Sequence, residues 1–563
     1  MKNKFALFVI LLVAVLSACQ KQRFDVILRG GTVYDGSGKE GEVLDVGIVS
    51  DTIAFIGDLS TAVGKKEIDA KGLAVAPGFI NMLSHCEVSL LFDGDSQSDI
   101  HQGVTLEVLG EGSMGPWNEQ MKRDEEEAIK RDPDWEYKID WTTLGEYLNG
   151  LEKKGISPNV ASFVSAITVR VHELGYANRT PSPAELERMK GLVKTAMEEG
   201  AMGVTSALIY APANYASTEE LIELSKVAAH YGGMYIAHIR SEGNSIFEAV
   251  DETIRIAREA NLPAEIYHLK FSGKDNWNKI DSVISKIDQA NKEGLKITAD
   301  MYTYTAGATG LDAAMPPWIQ EGGIKEWIKR MQNPTLRNKA LQEMRTPTNK
   351  WENLMLLAGD FDKVLLMGFT NDSLRKNFTG KTLGQVAKMY GKSPEETAMD
   401  LVITDGTRVG TAYFLMTEEN VKKQLQLPYV SFGSDAESAT ASGNFLKTPT
   451  HPRAYGNFAR LLGNYVRDEK VITLAEAIRR LTSLPASNLK IKKRGSLQVG
   501  YYADVVVFDP AQIQDHATFE NPHQYSTGVL HVLVNGTPVL ENGEHTHAKP
   551  GRIVRGPGWK GRE

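Results

Sequence analysis

From Phe24 to Leu59 the chain alternates apolar and polar residues. "FDVILRGGTVYDGSGKEGEVLDVGIVSDTIAFIGDL" is punctuated by Gly30-Gly31 and Asp35-Gly36, and its period of two predicts short antiparallel strands. The same texture returns near the other end in "RGSLQVGYYADVVVFDP" and "VLHVLVNGTPVLENGE", where Asn535-Gly536 is a strong hairpin signal. Two such regions flanking everything else predict one small β-sandwich built from both ends of the chain, residues 19–76 and 487–548, with a tail at 549–563.

Between them the period changes. Short apolar runs alternate with amphipathic stretches such as "PAELERMKGLVKTAMEEG", the βα rhythm of a parallel sheet. The runs are "LAVAPGFIN", "GVTLEVLG", "VASFVSAI", "AMGVTSALI", "GMYIAHIR", "AEIYHLKF", "LKITADMYTY" and "PYVSFGSDA", eight in all. An α/β chain with eight such units predicts a (β/α)₈ TIM-like barrel over 77–310 and 426–486, with its active site at the C-terminal ends of the strands. More than a hundred residues separate runs seven and eight, too many for a crossover, so an inserted subdomain or lid is expected at 311–425.

Length and charge narrow the picture. At 563 residues the chain has room for a barrel and satellites. A formal net charge of -8 with no Lys/Arg-rich block argues against nucleic acid as a partner. At the N-terminus, "MKNKFALFVILLVAVLSACQKQ" has two lysines, an apolar run from Phe5 to Leu16, then Leu16-Ser17-Ala18-Cys19. The run is shorter than the roughly 20 residues a spanning helix needs, and the four residues after it resemble a bacterial lipobox. Residues 1–18 are therefore expected to be a lipoprotein signal peptide, with lipid on Cys19 anchoring a soluble body to the membrane in the periplasm or at the cell surface. Cys86 is then the only other cysteine, so the fold must rest on its core without an intrachain disulfide.

Polar residues cluster at the predicted strand ends. Run one leads to His85, run two to Glu111, run five to His238, run six to His268 and Lys270, run seven to Asp300 and Tyr302, and run eight to Asp435. Singly each has a structural explanation: a hydrogen-bonded core histidine, or an Asp capping a helix. Together, at the functional end of successive barrel strands, they offer neutral imidazoles and anionic oxygens for a metal ion, and a carboxylate to take a proton from water.

The stretches "FDVILRGGTVYDG", "VAPGFI", "QGVTLEV", "HIRSEG", "HLK", "DMYTYTAG", "GSDA", "HPRAYGNFARLLG" and "GYYADVVVFDP" occur in order from Phe24 onward. In them the chain resembles the D-aminoacylase (N-acyl-D-amino-acid deacylase) branch of the amidohydrolase superfamily. The resemblance implies a zinc-dependent hydrolase of small N-acylated D-amino acids, with His238 and His268 as metal ligands and Asp435 as the catalytic carboxylate. It also implies Lys270, Tyr302 and Arg453 as residues near the substrate's carboxylate and carbonyl. Two positions depart from the family. Its His-x-His pair is Leu83-Ser84-His85 here, and the cysteine ligand of its Gly-Asn-Cys-Gly stretch is Gly112. Glu111, next to the lost cysteine, is expected to supply a replacement oxygen ligand; His85 is expected as a ligand or as pocket wall. One tight zinc site follows, with a second, outer position weakened. A cyclic amide or D-residue dipeptide as substrate stays open, as does a lipid-anchored binder without turnover.

Overall fold

The computed structural model describes residues 22–130, 135–447 and 449–561. The lipobox expectation, with Cys19 as its lipid site, lies outside the described residues. Among them, no helix is long and apolar enough to cross a membrane.

Both ends of the chain meet in one nine-stranded sheet. Strands Arg23–Val33, Glu42–Val49, Thr52–Gly57, Val63–Asp69 and Ala74–Pro77 come from the N-terminal region, and Val505–Phe508 pairs antiparallel with Ala74–Pro77 to join the two halves. Val529–Val534 and Thr537–Glu541 form the hairpin expected at Asn535-Gly536; the turn has φ 47° and 76°, the left-handed pair that such a two-residue connection requires.

The chain leaves this sheet for the barrel at Gly78, which splits the first apolar run in two. A Cβ there would lie 2.1 Å from Thr105 Oγ1, so only glycine lets the turn pass this close to the neighbouring strand. The barrel strands are Phe79–Ser84, Val104–Leu109, Asn159–Ser165 with a break at Phe163, Gly203–Ala207, Met234–His238, Ala264–Ile266, Ile297–Met301 and Val430–Phe432. They pair in parallel as a group of three and a group of six, and the broken third strand belongs to both. The last seam, between strands eight and one, is held by Asp435 N donating to Leu83 O and His85 N donating to Ala436 O, both at 2.9 Å. Inside the ring Ile80, Met82, Leu106, Val108, Ile236 and Tyr267 pack together, with Ala486 and Leu489 as a plug.

The outer helices follow their sequence signals. Pro183–Glu198 begins at a capping box, Ser182 with Glu185, and carries Pro at its first turn. The insertion is set off by its own core of Leu311, Trp327, Leu354, Leu366 and Val402, and by a three-stranded antiparallel sheet of Ala306–Gly310, Val364–Gly368 and Gly410–Phe414. Its limits differ from 311–425. The sheet starts earlier, at Ala306, while helix Glu418–Leu425 buries Val421 and Leu425 in the barrel's core and its Gln424 amide donates to Leu269 O at 2.7 Å. The tail also has a place: Val160 N donates to Arg552 O and Val554 N to Val160 O, laying residues 551–556 along the third barrel strand.

Candidate active site

The functional residues stand where the strands end. His85 follows the first strand, Glu111 the second, His238 closes the fifth, and His268, Tyr302 and Asp435 follow the sixth, seventh and eighth. Arg453 opens helix Arg453–Arg460 beyond them. Three of these residues leave the usual backbone region: Glu111, His268 and Asp435 have φ of 59°, 34° and 50°. Left-handed backbone at non-glycine residues costs on the order of 1 to 3 kcal/mol each and persists only where surroundings impose it. The causes are visible. Gly112 N donates to Gly110 O at 2.7 Å, closing a tight turn on Glu111; the Asp300 carboxyl takes His268 N at 2.7 Å; and the strand-eight seam takes Asp435 N.

The strained turns bring side chains together. Glu111 Oε1 lies 3.1 Å from His238 Nδ1 and 2.9 Å from His268 Nε2. On the other side His85 Nε2 lies 3.1 Å from Asp435 Oδ1 and 3.9 Å from Glu111 Oε2. Glu111 thus belongs to two potential donor sets, one with His238 and His268 and one with His85 and Asp435, each with its donor atoms within 4.8 Å of one another. Leu83, at the position of the family's first histidine, is fully buried in the barrel interior. Cys86 is fully buried with a free thiol and packs behind the site.

Electrostatics explains why ionised groups stay here. Burial opposes charge on Glu111, yet hydrogen bonds and charges from His238 and His268 hold its carboxyl well below the usual range. For Asp435 burial is again the largest opposing effect, overcome by Arg453, whose Nη1 lies 2.8 Å from Asp435 Oδ2, then by His268 and His85. Burial depresses His85, but the Asp435 hydrogen bond and the Glu111, Asp435 and Glu87 charges lift it to about 9. Burial and Lys270 likewise oppose charge on His268, and Asp435, Glu242 and Glu111 raise it to about 10. The same negative field that favours protons on these imidazoles suits a divalent cation, which takes the protons' place when it binds.

Lys270 and Arg453 were expected to face the substrate's carboxylate, and both are already paired with site carboxylates. Lys270 Nζ sits 2.7 Å from Glu242 Oε1 and 2.7 Å from His268 Nδ1, so it orients the imidazole instead of standing free. Arg453 holds Asp435 and lies with its guanidinium 4.5 Å above the Tyr302 ring. The Tyr302 hydroxyl is buried with no hydrogen-bond partner among the described residues, and burial pushes it up to about 12. All line one polar cavity of about 570 Å³ above the barrel.

Sequence reasoning missed Glu242, Glu352 and Arg408. Glu242 stands four residues after His238 in "HIRSEG", and that shared loop was its only signal. Burial raises its pKa, but His238, Lys270 and His268 hold it down to about 2. Glu352, from the insertion, accepts from Ser241 Oγ at 2.5 Å and from Glu242 N at 2.9 Å, fastening insertion to site. Arg408, also from the insertion, lies 5.0 Å over the Tyr210 ring at the cavity's edge.

Residues 66–540 match the model of the "Amidohydrolase family". Over 544 residues the chain is 32% identical to the D-aminoacylase of Alcaligenes xylosoxydans xylosoxydans, covering 96% of this chain and 99% of that one. A solved D-aminoacylase, characterised for its binuclear metal centre with one-metal activation and second-metal attenuation, superposes with a TM-score of 0.77 at 30% identity over 94% of this chain and 100% of its own. The N-acyl-D-glutamate deacylase of Bordetella bronchiseptica, solved with zinc and a phosphonate mimic of the tetrahedral intermediate, superposes with a TM-score of 0.78 at 27% identity, covering 95% and 100%.

The buried pair beneath the histidines is directly testable. Glu242→Ala leaves the Lys270 ammonium uncompensated and is expected to lower the unfolding free energy by about 3 to 5 kcal/mol, read from denaturant midpoints of the metal-free protein. Replacing both residues, Glu242→Ala with Lys270→Met, is expected to recover part of that loss. A single variant as stable as the unaltered protein would contradict the pairing.

Proposed function

We propose that this chain, which belongs to the amidohydrolase family and is a metal-dependent hydrolase of carbon–nitrogen bonds, cleaves the amide of N-acyl-D-amino acids. The observation that carries the reading is the meeting of Glu111, His238 and His268 on one point beside Asp435. Two imidazoles and one carboxylate make the three-ligand set that a catalytic zinc site uses, with a place left open. Glu111, His238 and His268 would hold the ion, which supplies a Lewis acid for the carbonyl and makes water nucleophilic near neutral pH. A second ion among His85, Glu111 and Asp435 would face the Arg453 guanidinium at 2.8 Å from Asp435, and that positive charge argues for one tight metal.

The protein's own residues then divide the work. Asp435, kept ionised by Arg453 and aimed by the strand-eight seam, takes a proton from the attacking water and returns it to the departing nitrogen. His85, hydrogen-bonded to Asp435, steadies the carboxylate's orientation. Arg453 and Tyr302 line the side on which a carboxylate next to the scissile amide would lie, and an Arg–carboxylate contact is directional enough to set the carbonyl's position. Lys270 and Glu242 fix the His268 ring from behind.

Asp435→Asn is expected to keep its zinc, measured by metal analysis after dialysis, and to lose about 10²- to 10⁴-fold in kcat because an amide accepts no proton. Turnover near that of the unaltered protein would remove Asp435 from the mechanism. Handedness tests the substrate class: zinc-loaded protein given paired N-acetyl-D- and N-acetyl-L-leucine is expected to release amine from the D compound. Equal rates, or a faster L compound, would sink the assignment.

We also propose that the protein is a membrane-anchored lipoprotein on the exported side, on the strength of Leu16-Ser17-Ala18-Cys19 after a short apolar run. Cells fed a labelled fatty acid are expected to label the unaltered chain and not Cys19→Ser; label on both, or on neither, would refute it.

A further inference from the structure

Beside the polar cavity lies a larger one of about 770 Å³. Its walls include Val88, Met114, Trp117 and Val171 from the barrel side, and Ile324 and Trp327 from the insertion. Most of the charged groups around it have polar partners, and Glu87 is a partly buried carboxyl whose pKa burial raises to about 7. Lys325 Nζ lies 2.5 Å from Glu127, the Tyr137 hydroxyl 2.5 Å from Glu125, Gln120 donates to Asp124 at 2.8 Å, and Arg408 Nε lies 2.9 Å from Asp312. What remains for a ligand is mainly apolar and aromatic surface. The two cavities share His85, Gly112, Ile167, Tyr210, Ala211 and Arg408, so they meet beside the Glu111, His238 and His268 cluster, which itself lines the polar cavity.

Strand order fixes how they are arranged. The shared residues Gly112, Ile167 and Tyr210 follow strands two, three and four, whereas Lys270, Tyr302, Asp435 and Arg453 follow strands six, seven and eight or lie beyond them. In a ring of eight these are opposite flanks, with the Glu111, His238 and His268 cluster between. A secondary amide is planar and trans, so the acyl chain and the α-carbon leave the C–N bond in opposite directions. A substrate whose α-carboxylate lies on the Arg453 flank and whose carbonyl lies over the cluster therefore points its acyl chain toward strands two to four.

Resting on the deacylase reading above, we propose that the apolar cavity is an acyl-chain site and that the preferred substrates are N-acyl-D-amino acids with a medium or long aliphatic acyl group. An acetyl group would leave most of the space to water. Each methylene moved from water into such a cavity gains enough free energy for about a fourfold rise in kcat/KM, provided that the gain is expressed at the transition state. A cavity of this size accommodates a ligand well beyond acetyl.

The test uses the zinc-loaded protein and one amino acid, D-leucine, carrying acetyl, butanoyl, hexanoyl or octanoyl groups, with leucine release followed. The expected result is kcat/KM rising about fourfold per added methylene over the first part of the series. In Val171→Trp, and, should that variant not fold, in Met121→Trp at another position lining the cavity, the octanoyl-to-acetyl ratio is expected to fall at least tenfold. Leucine release that is flat across the series, or greatest from acetyl, would overturn the acyl site and leave the deacylase reading standing. So would an unchanged octanoyl-to-acetyl ratio in a folded variant. No leucine release from any member would overturn the underlying reading and this proposal with it.

Discussion

The mouth of the barrel depends on keeping the Glu111 carboxylate ionised where water is largely excluded. An isolated carboxylate in such surroundings carries an effective penalty of several kcal/mol, so the position is tenable only with positive charge on both sides. His238 and His268 supply it, and Glu242 and Lys270 behind them set their orientation and balance. The same logic repeats across the site, where Asp435 stands between Arg453 and His85. Three carboxylates, Glu111, Glu242 and Asp435, against one ammonium and one guanidinium, Lys270 and Arg453, leave a negative field wherever the three imidazoles are neutral. A dication resolves that field more completely than protons do, because protons must be shared among rings that burial disfavours as cations.

This balance accounts for the strained backbone. Glu111, His268 and Asp435 adopt left-handed conformations uncommon outside glycine; the tight turn between Gly110 and Gly112 imposes it on Glu111, and bonds to neighbouring strand ends hold His268 and Asp435. The barrel seam takes part in the chemistry in the same way. Because Leu83 O accepts from Asp435 N, the backbone of the strand that lacks the family's first histidine still aims the carboxylate. The Leu83 side chain turns instead into the apolar interior beside Ile80 and Met82. Loss of an imidazole at this position would therefore remove a ligand for an outer ion without disturbing Asp435, the proposed proton carrier.

How much of this was legible follows from range. Local periodicity gave the sheet at the two ends, the eight barrel strands and the hairpin at Asn535-Gly536, because each depends on neighbouring residues. The strand ends gave Glu111, His238, His268 and Asp435 for the same reason: a polar residue after an apolar run has one direction to face. Pairing was not legible. Nothing local says that Lys270 meets Glu242 or that Arg453 meets Asp435, 28 and 18 residues apart in the chain, so both cations looked free for substrate. Glu352 and Arg408 were hidden more deeply, since they reach the site from an insertion whose helices are placed by its own core. The insertion's limits were misplaced because helix Glu418–Leu425 has the same amphipathic pattern as the helices before it; only its burial against the barrel assigns it there.

The arrangement of flanks gives stereochemical control a physical basis that requires no tight fit to the side chain. With the carboxylate on one flank and the amide placed by its carbonyl over the metal-ligand cluster and its acyl chain toward the other, two of the α-carbon's four substituents would be set before hydrogen and side chain are considered. Inverting the centre then exchanges only hydrogen and side chain. The polar cavity is lined on one side by Leu354 and Leu415, contributed by the insertion and its edge, while Tyr267 in the barrel floor is fully buried. For the proposed substrates, a side chain turned toward that buried floor would be excluded where a hydrogen would not, so discrimination between hands would come from the barrel's own packing density. The choice among side chains of the accepted hand would then fall to the insertion, which is fastened to the site through Glu352, the acceptor of Ser241 Oγ and Glu242 N.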